Sequence, residues 1–477
     1  MNKVINLNKK KVAFCRFKKL KDNYLITNDI GNYFFLSPSL FKQYLEGNLD
    51  KKGEVYQILE KKEFIGDSLD KENLVRNYRK RNAFLFSGPS LHIIVATLRC
   101  NYNCIYCQAS SRNLKEKGYD MDIETAKKVV DTIFCTPNDF ITIEFQGGEP
   151  LVNWPAVKFI VEYAKKKNKK AGKTLFITLV TNLSLLTEEK YRFLVKNRVI
   201  FCTSLDGPEE LHNQNRPWSG GSSYEATTKW IEKIKARQKK DIDLYHISAL
   251  LTVSRFSLKY SKEIIDTYRK FGFSGVHLRP LSFLGLSGTM RSRIGYSIKE
   301  FMKYWRETMD YIIDLNLNGE YFTERGSKIM LQKILTDSDP GFLDLRSPCG
   351  AGIGQMLYNY DGKVYTCDEG RMLGNDTFLI GNVHKNSYRE MVSHETVKSL
   401  CVASLLESLP CDNCAYKPYC GVCPVLNYAL YGDIFTSLSG NTRCQLYQGM
   451  LDYLFEKLQN KTIAEVFENW VKPKMEN

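Results

Sequence analysis

Between about Leu91 and Asn318 the sequence repeats one pattern six times: a short apolar, β-branched run, then a segment with helical periodicity. The runs are LHIIVATL, FITIEFQGG, TLFITLVTN, VIFCTSLDG, HISALLTV and GVHLRPL, separated by segments such as IETAKKVVDTIF. Strands that alternate with helices run parallel, because a crossover must return the chain before the next strand can pair. Six units predict an α/β fold built on an open, partial (β/α)6 barrel rather than a closed eight-unit one.

Two regions flank this core. Residues 1–88 carry the strand-like pieces VAFCRF, NYLITND and NYFFLS, then the helix-like FKQYLEG and EVYQILEKK, which together predict a small α+β module. Residues 320–477 show little long periodicity before a last helix near LYQGMLDYLFEKLQ, so cysteines and glycines must organise them. The expected division is therefore 1–88, 89–319 and 320–477. No period of 20 to 50 residues is present, which excludes solenoids and propellers.

No apolar run is long enough to cross a bilayer, and MNKVINLNKKKV lacks the apolar core of a signal peptide. A cytoplasmic location is expected, with no membrane partner. In a reducing compartment the fourteen cysteines are poor candidates for disulfides, so the ten that cluster point to metal or redox chemistry. Cys15, Cys135, Cys202 and Cys401 lie apart in apolar surroundings and read as small buried hydrophobes. The net charge of +15 would suit a polyanion, but its densest run, KKKNKKAGK from Lys165 to Lys173, falls at a helix end and lacks interleaved aromatics. Nucleic acid is not an expected partner.

The first cysteine group is LRCNYNCIYCQ, from Leu98 to Gln108, with Cys100, Cys104 and Cys107 spaced C-x3-C-x2-C. It follows the first strand, at the carboxyl end where parallel barrels keep their chemistry. Three thiolates can hold three irons of a [4Fe-4S] cube and leave one iron open. The alternative, an incomplete zinc site, fits the tight spacing less well.

These residues resemble the radical S-adenosylmethionine superfamily, whose signature is Cys-x3-Cys-x2-Cys with an aromatic residue before the last cysteine, here Tyr106. The resemblance implies that S-adenosylmethionine chelates the open iron and is cleaved to a 5'-deoxyadenosyl radical that abstracts hydrogen. FQGGEP resembles the family's segment for the methionine amino group. Gly147 and Gly148 would let the backbone approach a ligand, and Glu149 would offer a carboxylate to an ammonium. VTNLS and TSLDGP resemble the ribose and carboxylate contacts, with Asn182, Ser204 and Asp206 as the matching residues. Arg216 in LHNQNRP resembles a basic residue of the same neighbourhood.

The third region has Cys349, Cys367, then Cys411, Cys414, Cys420 and Cys423 as C-x2-C-x5-C-x2-C, and Cys444. Seven cysteines do not divide into zinc tetrads. The arrangement resembles the SPASM domain, which carries two auxiliary [4Fe-4S] clusters, although Cys423 sits one residue early. The resemblance implies Cys349, Cys367 and Cys423 as ligands of one cluster and Cys411, Cys414, Cys420 and Cys444 as ligands of the other. A fourth ligand of the former is not identified.

Enzymes of this architecture are mostly peptide or protein maturases. The segments LHIIVATLRCNYNCIYCQASS, EFQGGEPL, TSLDGPEELHNQNRP, LRPLS and SPCGAGIGQMLYNYDGKVY resemble most closely the radical enzyme of His-Xaa-Ser peptide systems. The first module resembles the winged-helix-like element that binds a precursor leader by adding a strand to a sheet edge. The expected function is modification of a ribosomally made precursor peptide, with a flavodoxin or ferredoxin as electron donor. The alternative within the same architecture is a formylglycine-generating sulfatase maturase, which usually lacks so long an N-terminal module. The alternative outside it is a non-catalytic zinc or nucleic-acid binding protein.

Overall fold

The computed structural model describes residues 7–240, 246–435 and 441–472, so the first six residues of the basic N-terminus lie outside it. The N-terminal module opens with three antiparallel strands, β1 (Arg16–Leu20), β2 (Asn23–Thr27) and β3 (Tyr33–Leu36), in that spatial order. Helices α1 (Pro38–Glu46) and α2 (Glu54–Lys61) cover one face around Ile26, Leu36, Phe41, Tyr44, Leu59 and Phe64. Helix α1 begins where Ser37 accepts from Leu40 N, with Pro38 in the first turn, and stops at Gly47 in a left-handed conformation. VAFCRF is strand only from Arg16 onward. A third helix, α3 (Lys71–Arg81), has no apolar stripe; its Asp70 cap and the Arg81 guanidinium, which donates to Ile30 O and Lys333 O, hold it instead.

The barrel strands are β4 (Leu91–Thr97), β5 (Phe140–Gly147), β6 (Thr174–Thr181), β7 (Val199–Ser204) and β8 (Ser248–Thr252), each parallel to its neighbour. Helices α4 (Ile123–Ile133), α5 (Trp154–Ala171), α6 (Glu188–Lys196) and α7 (Ser223–Gln238) lie between them. The lysine run does end a helix: Lys169 and Lys170 occupy the last turn of α5, capped by Gly172. After α8 (Ser261–Lys270) the sixth run yields only a short strand, β9 (Leu278–Arg279), paired with β8. Its first half, Gly275–Val276, pairs instead with Thr323–Glu324.

Alternate residues of these strands face opposite ways. Ile141, Ile143, Phe145, Ile177, Leu179, Phe201 and Leu251 are buried in the main apolar core. Thr142, Glu144, Gln146, Thr178, Cys202, Ser204, Ser248 and Thr252 line one internal cavity instead. Ile93, Val180, Ile200 and Leu250 share this lining, so the barrel interior is mixed in polarity and open, not packed.

The sheet continues past the expected boundary at residue 320. Strand β10 (Gln355–Tyr358) pairs in parallel with β4, and β11 (Lys363–Tyr365) and β12 (Leu379–Asn382) follow antiparallel. The full order is β9-β8-β7-β6-β5-β4-β10-β11-β12. Several helices were not legible in this region: α10 (Arg325–Leu335), α11 (Asp368–Met372), α12 (Glu395–Ala403) and α14 (Lys461–Val471) join α9 (Ile298–Leu317) and the expected last long helix, α13 (Thr442–Leu458). One apolar core runs through the barrel, α9, α10, α13 and α14.

The second face of the N-terminal sheet rests on this region. Thr27 Oγ1 donates to Ala415 O (2.8 Å), Tyr419 OH donates to Gly31 O (3.0 Å), and Tyr33 and Phe35 meet Phe455 edge-on. Arg16, almost fully buried, bridges Asp29 (2.9 Å) and Asp412 (3.0 Å), and Lys417 completes the network at 2.6 Å from Asp412.

Candidate active site

The loop after β4 carries Cys100, Cys104 and Cys107, and all three line the cavity. Backbone bonds from Asn103 N to Pro217 O (2.9 Å) and Ile105 N to Asn215 O (3.0 Å) pin its middle. Its base is clamped by Arg99, which pairs with Asp120 and donates to Leu114 O (2.8 Å). Burial pushes the Cys104 thiol up to about 12 against the downward pull of Arg216, and burial raises Cys100 as well. Neutral thiols in so dry a site become ligands only when a cation compensates their charge.

The GGEP segment closes the end of β5 against this loop. Gly148 N donates to Thr97 O and Glu149 N to Arg99 O, each at 2.9 Å. A Cβ at Gly147 would lie 2.4 Å from Thr97 O, and one at Gly148 2.2 Å from Arg99 O. Both glycines are thus required by close packing of the chain on its own cysteine loop, a reason nearer than the approach of a ligand. Gly147 also takes φ +126, open to glycine.

Glu149 is buried, and its carboxylate accepts from Leu151 N (3.1 Å), Thr181 Oγ1 (2.7 Å) and Asn182 N (2.8 Å). It ties the loop after β5 to the end of β6 while still reaching the cavity wall. Asn182 joins the same wall, donating to Asn101 Oδ1 (3.0 Å) and accepting from Ser184 N (3.0 Å). Thr181 and Asn101 were missed in the sequence, although each stands beside a residue that was singled out. Ser204 lies on the wall as expected.

Asp206 sits behind the wall. It is fully buried, accepts from the Tyr106 hydroxyl, and lies 3.3 Å from Arg216 Nε. Arg216 stacks over the Tyr106 ring at 5.3 Å and reaches Cys104 Sγ at 3.7 Å. Tyr106, Asp206 and Arg216 therefore form one charged chain that ends on a site thiol. Arg216 and Tyr106 face the cavity, whereas the Asp206 carboxylate is used up in holding them.

The remaining clustered cysteines separate into two neighbourhoods. Cys349, Cys367 and Cys423 share a small buried cluster with Ala351, Phe378, Leu400 and Val425. Cys420 lies in the electrostatic reach of Cys411, Cys414 and Cys444. Among the described residues no three His, Cys, Asp or Glu side chains converge on one metal ion. A cube spreads its ligands over separate irons, so convergence on one point is the geometry of a mononuclear site, not of a cluster. Of the four scattered cysteines, Cys135 is exposed and Cys202 lines the cavity, so neither is the buried hydrophobe expected.

The cavity encloses about 1380 Å³ and runs from the thiol loop through the barrel interior to α10 and α13. That exceeds the roughly 300–1,000 Å³ of small-molecule sites. An open parallel barrel with a three-thiol loop at its carboxyl end and polar groups along its interior wall defines an enzyme of cluster-dependent chemistry. Residues 94–255 match the family model of the radical SAM superfamily. Over those residues the chain resembles radical SAM enzymes, and as an enzyme it is related to anaerobic sulfatase maturases and to peptide-modifying enzymes.

It is 25% identical over 389 residues to a cysteine-type anaerobic sulfatase-maturating enzyme of Clostridium perfringens, covering 78% of this chain and 98% of that one. It is 24% identical over 412 residues to the radical SAM cyclopropyl synthase TigE of Paramaledivibacter caminithermalis, covering 82% and 80%. Among solved structures, native anSMEcpe with bound AdoMet superposes with a TM-score of 0.65 at 20% identity, over 80% of this chain and all of that one. Streptococcus suis SuiB bound to its precursor peptide SuiA gives 0.54 at 15% identity, over 89% and 97%. No described helix is long and apolar enough to cross a membrane.

Proposed function

We propose that this enzyme modifies a ribosomally made precursor peptide, and that the observation carrying this reading is the size of the cavity, with polar groups set among its apolar lining. A volume of about 1380 Å³ has room for a cofactor at the thiol loop and a peptide segment along the barrel interior. When bound, a [4Fe-4S] cluster and S-adenosylmethionine supply a 5'-deoxyadenosyl radical that removes hydrogen from an unactivated carbon. The residues present fit these groups: three thiols on one wall, a cation beside Cys104, and polar atoms of Glu149, Asn182 and Ser204 around them.

In this reading Cys100, Cys104 and Cys107 are the cluster ligands, and Arg216 stabilises the Cys104 thiolate. Glu149 and Asn182 hold the cofactor's amino acid and ribose ends while bracing two loops. Cys349, Cys367 and Cys423 hold one auxiliary cluster, and Cys411, Cys414, Cys420 and Cys444 another, in a SPASM-type region over 320–477. The N-terminal module binds the leader at a strand edge. Its sheet has one face under α1 and α2 and the other on the C-terminal region, so the outer edges of β1 and β3 are what it offers. A cytoplasmic flavodoxin or ferredoxin supplies electrons.

The likeness of fold to SuiB, solved with its precursor peptide SuiA, supports a peptide substrate, and the segments quoted above favour the His-Xaa-Ser type. The sequence relation to sulfatase maturases supports formylglycine formation as the second reading. Anaerobic incubation of the reduced enzyme with S-adenosylmethionine and the product of a small open reading frame beside its gene tests the first. A mass change in that peptide supports it. Aldehyde formation on a cysteine-containing sulfatase peptide, with the neighbouring peptide untouched, supports the second.

A further inference from the structure

Glu324 is 2% exposed and makes four bonds with its carboxylate. Oε1 accepts from Leu278 N (3.1 Å) and Gly326 N (3.0 Å), and Oε2 accepts from Ser327 N (2.6 Å) and Ser327 Oγ (2.7 Å). All of its roughly four lone-pair positions are occupied, so it is spent as a clamp between β9 and the start of α10. The residue after each clamped position is an arginine: Arg279 follows Leu278, and Arg325 follows Glu324 itself. Both line the cavity.

Among the described residues neither guanidinium has an ion pair or hydrogen bond. Other arginines of the same region are engaged: Arg216 by Asp206 at 3.3 Å, Arg443 by Asp344 at 3.2 Å, and Arg371 by Ala109 O at 2.9 Å. The nearby Glu144 carboxylate feels the charge of Arg279 but makes its hydrogen bonds with Gln146 Nε2 (2.7 Å) and Thr178 Oγ1 (3.2 Å). His277, on the same wall, is held down to about 3 by burial and then by these two arginines, so it adds no charge. Arg279 is half-buried and Arg325 exposed, and both are close enough to act on His277, so their like charges repel and a carboxylate relieves this through planar, bidentate pairing.

We propose that Arg279 and Arg325 bind a carboxylate of the substrate, an aspartate or glutamate side chain of the peptide being modified. This rests on the peptide reading above. β9 is five strands from β4 in sheet order, yet the sheet curls so that Gln108 of the cysteine loop donates to Ser282 O (3.1 Å), three residues beyond Arg279. At the cysteine loop itself the nearer cation is Arg216, 3.7 Å from Cys104 Sγ, which leaves Arg279 and Arg325 to a substrate side chain.

The test uses the anaerobic holoenzyme with S-adenosylmethionine and an mRNA-displayed library of random twelve-residue peptides. Wild-type enzyme should enrich peptides with an acidic residue. One such peptide should bind Arg279→Gln or Arg325→Gln about ten- to hundredfold more weakly, the loss expected for a charged hydrogen bond. Its glutamine counterpart should lose the same factor on wild type and little more on the variants. Retained peptides without an acidic preference, or equal losses for both peptides on the variants, would overturn the proposal alone. No retained peptide at all would overturn the peptide reading with it. A matching fall in S-adenosylmethionine affinity, measured by calorimetry on the same variants, would assign the pair to the cofactor and overturn the proposal.

Discussion

Arg216 Nε lies 3.3 Å from Asp206 Oδ1 inside the protein, and the guanidinium of the same arginine reaches Cys104 Sγ at 3.7 Å. A buried ion pair is thereby tied to a thiol proposed as a cluster ligand. Removing one partner leaves an uncompensated charge, which typically costs about 3–5 kcal/mol. Asp206→Asn should lower stability by about that amount in denaturant unfolding. It should also reduce iron content, because Tyr106 and Arg216 lose their common anchor. A variant as stable and as iron-rich as the parent would show that Asp206 holds neither.

Gly148 and Gly319 provide a contrast in backbone requirements. At Gly148 an added Cβ meets Arg99 O at 2.2 Å and Leu98 O at 2.5 Å, both backbone atoms of the cysteine loop. Gly319, at φ +84, has nothing within 4 Å. Gly319→Ala should cost about 1–2 kcal/mol, the strain of a left-handed residue. Gly148→Ala should cost more and should displace the loop, seen as lost iron in anaerobically purified protein. Equal effects on iron would remove the packing account of this glycine.

Cys420 and Cys423 are three positions apart yet face different partners, Cys411, Cys414 and Cys444 for the one and Cys349 and Cys367 for the other. Cys420→Ser and Cys423→Ser should each lose about four irons, and the double variant about eight, since each cluster carries four. A double variant that loses no more than a single one would place both residues on one cluster.

The parallel strands were legible because each run is short, β-branched and followed by helical periodicity. The polar inner face was present too, as every second residue of FITIEFQG, but the apolar partners dominate such a run when it is read as a whole. Cys100, Cys104, Tyr106, Cys107, Glu149 and Arg216, which the fold gathers on one cavity, could be singled out because their spacing is local. Arg279, Arg325 and Glu324 were not, because the clamp joins β9 to a segment 46 residues further on, and no local pattern marks it. Helix α3 escaped because its KENLVRNYRKR has no apolar stripe; its cap and Arg81 hold it. Strand β10 escaped because QMLY is four residues long and pairs with a partner more than 250 positions away. Asp206 was found as a polar residue of the right turn, but only the fold shows its carboxylate facing Tyr106 and Arg216 instead of the cavity.

The central claim is that Cys100, Cys104 and Cys107 hold the cluster that cleaves S-adenosylmethionine. Its most direct test is 5'-deoxyadenosine formation by anaerobic, dithionite-reduced enzyme, wild type against the variant with all three cysteines changed to alanine. The wild type should form 5'-deoxyadenosine, and the variant should form none while retaining the iron held by the other seven clustered cysteines. Cleavage that persists in the variant would contradict the account.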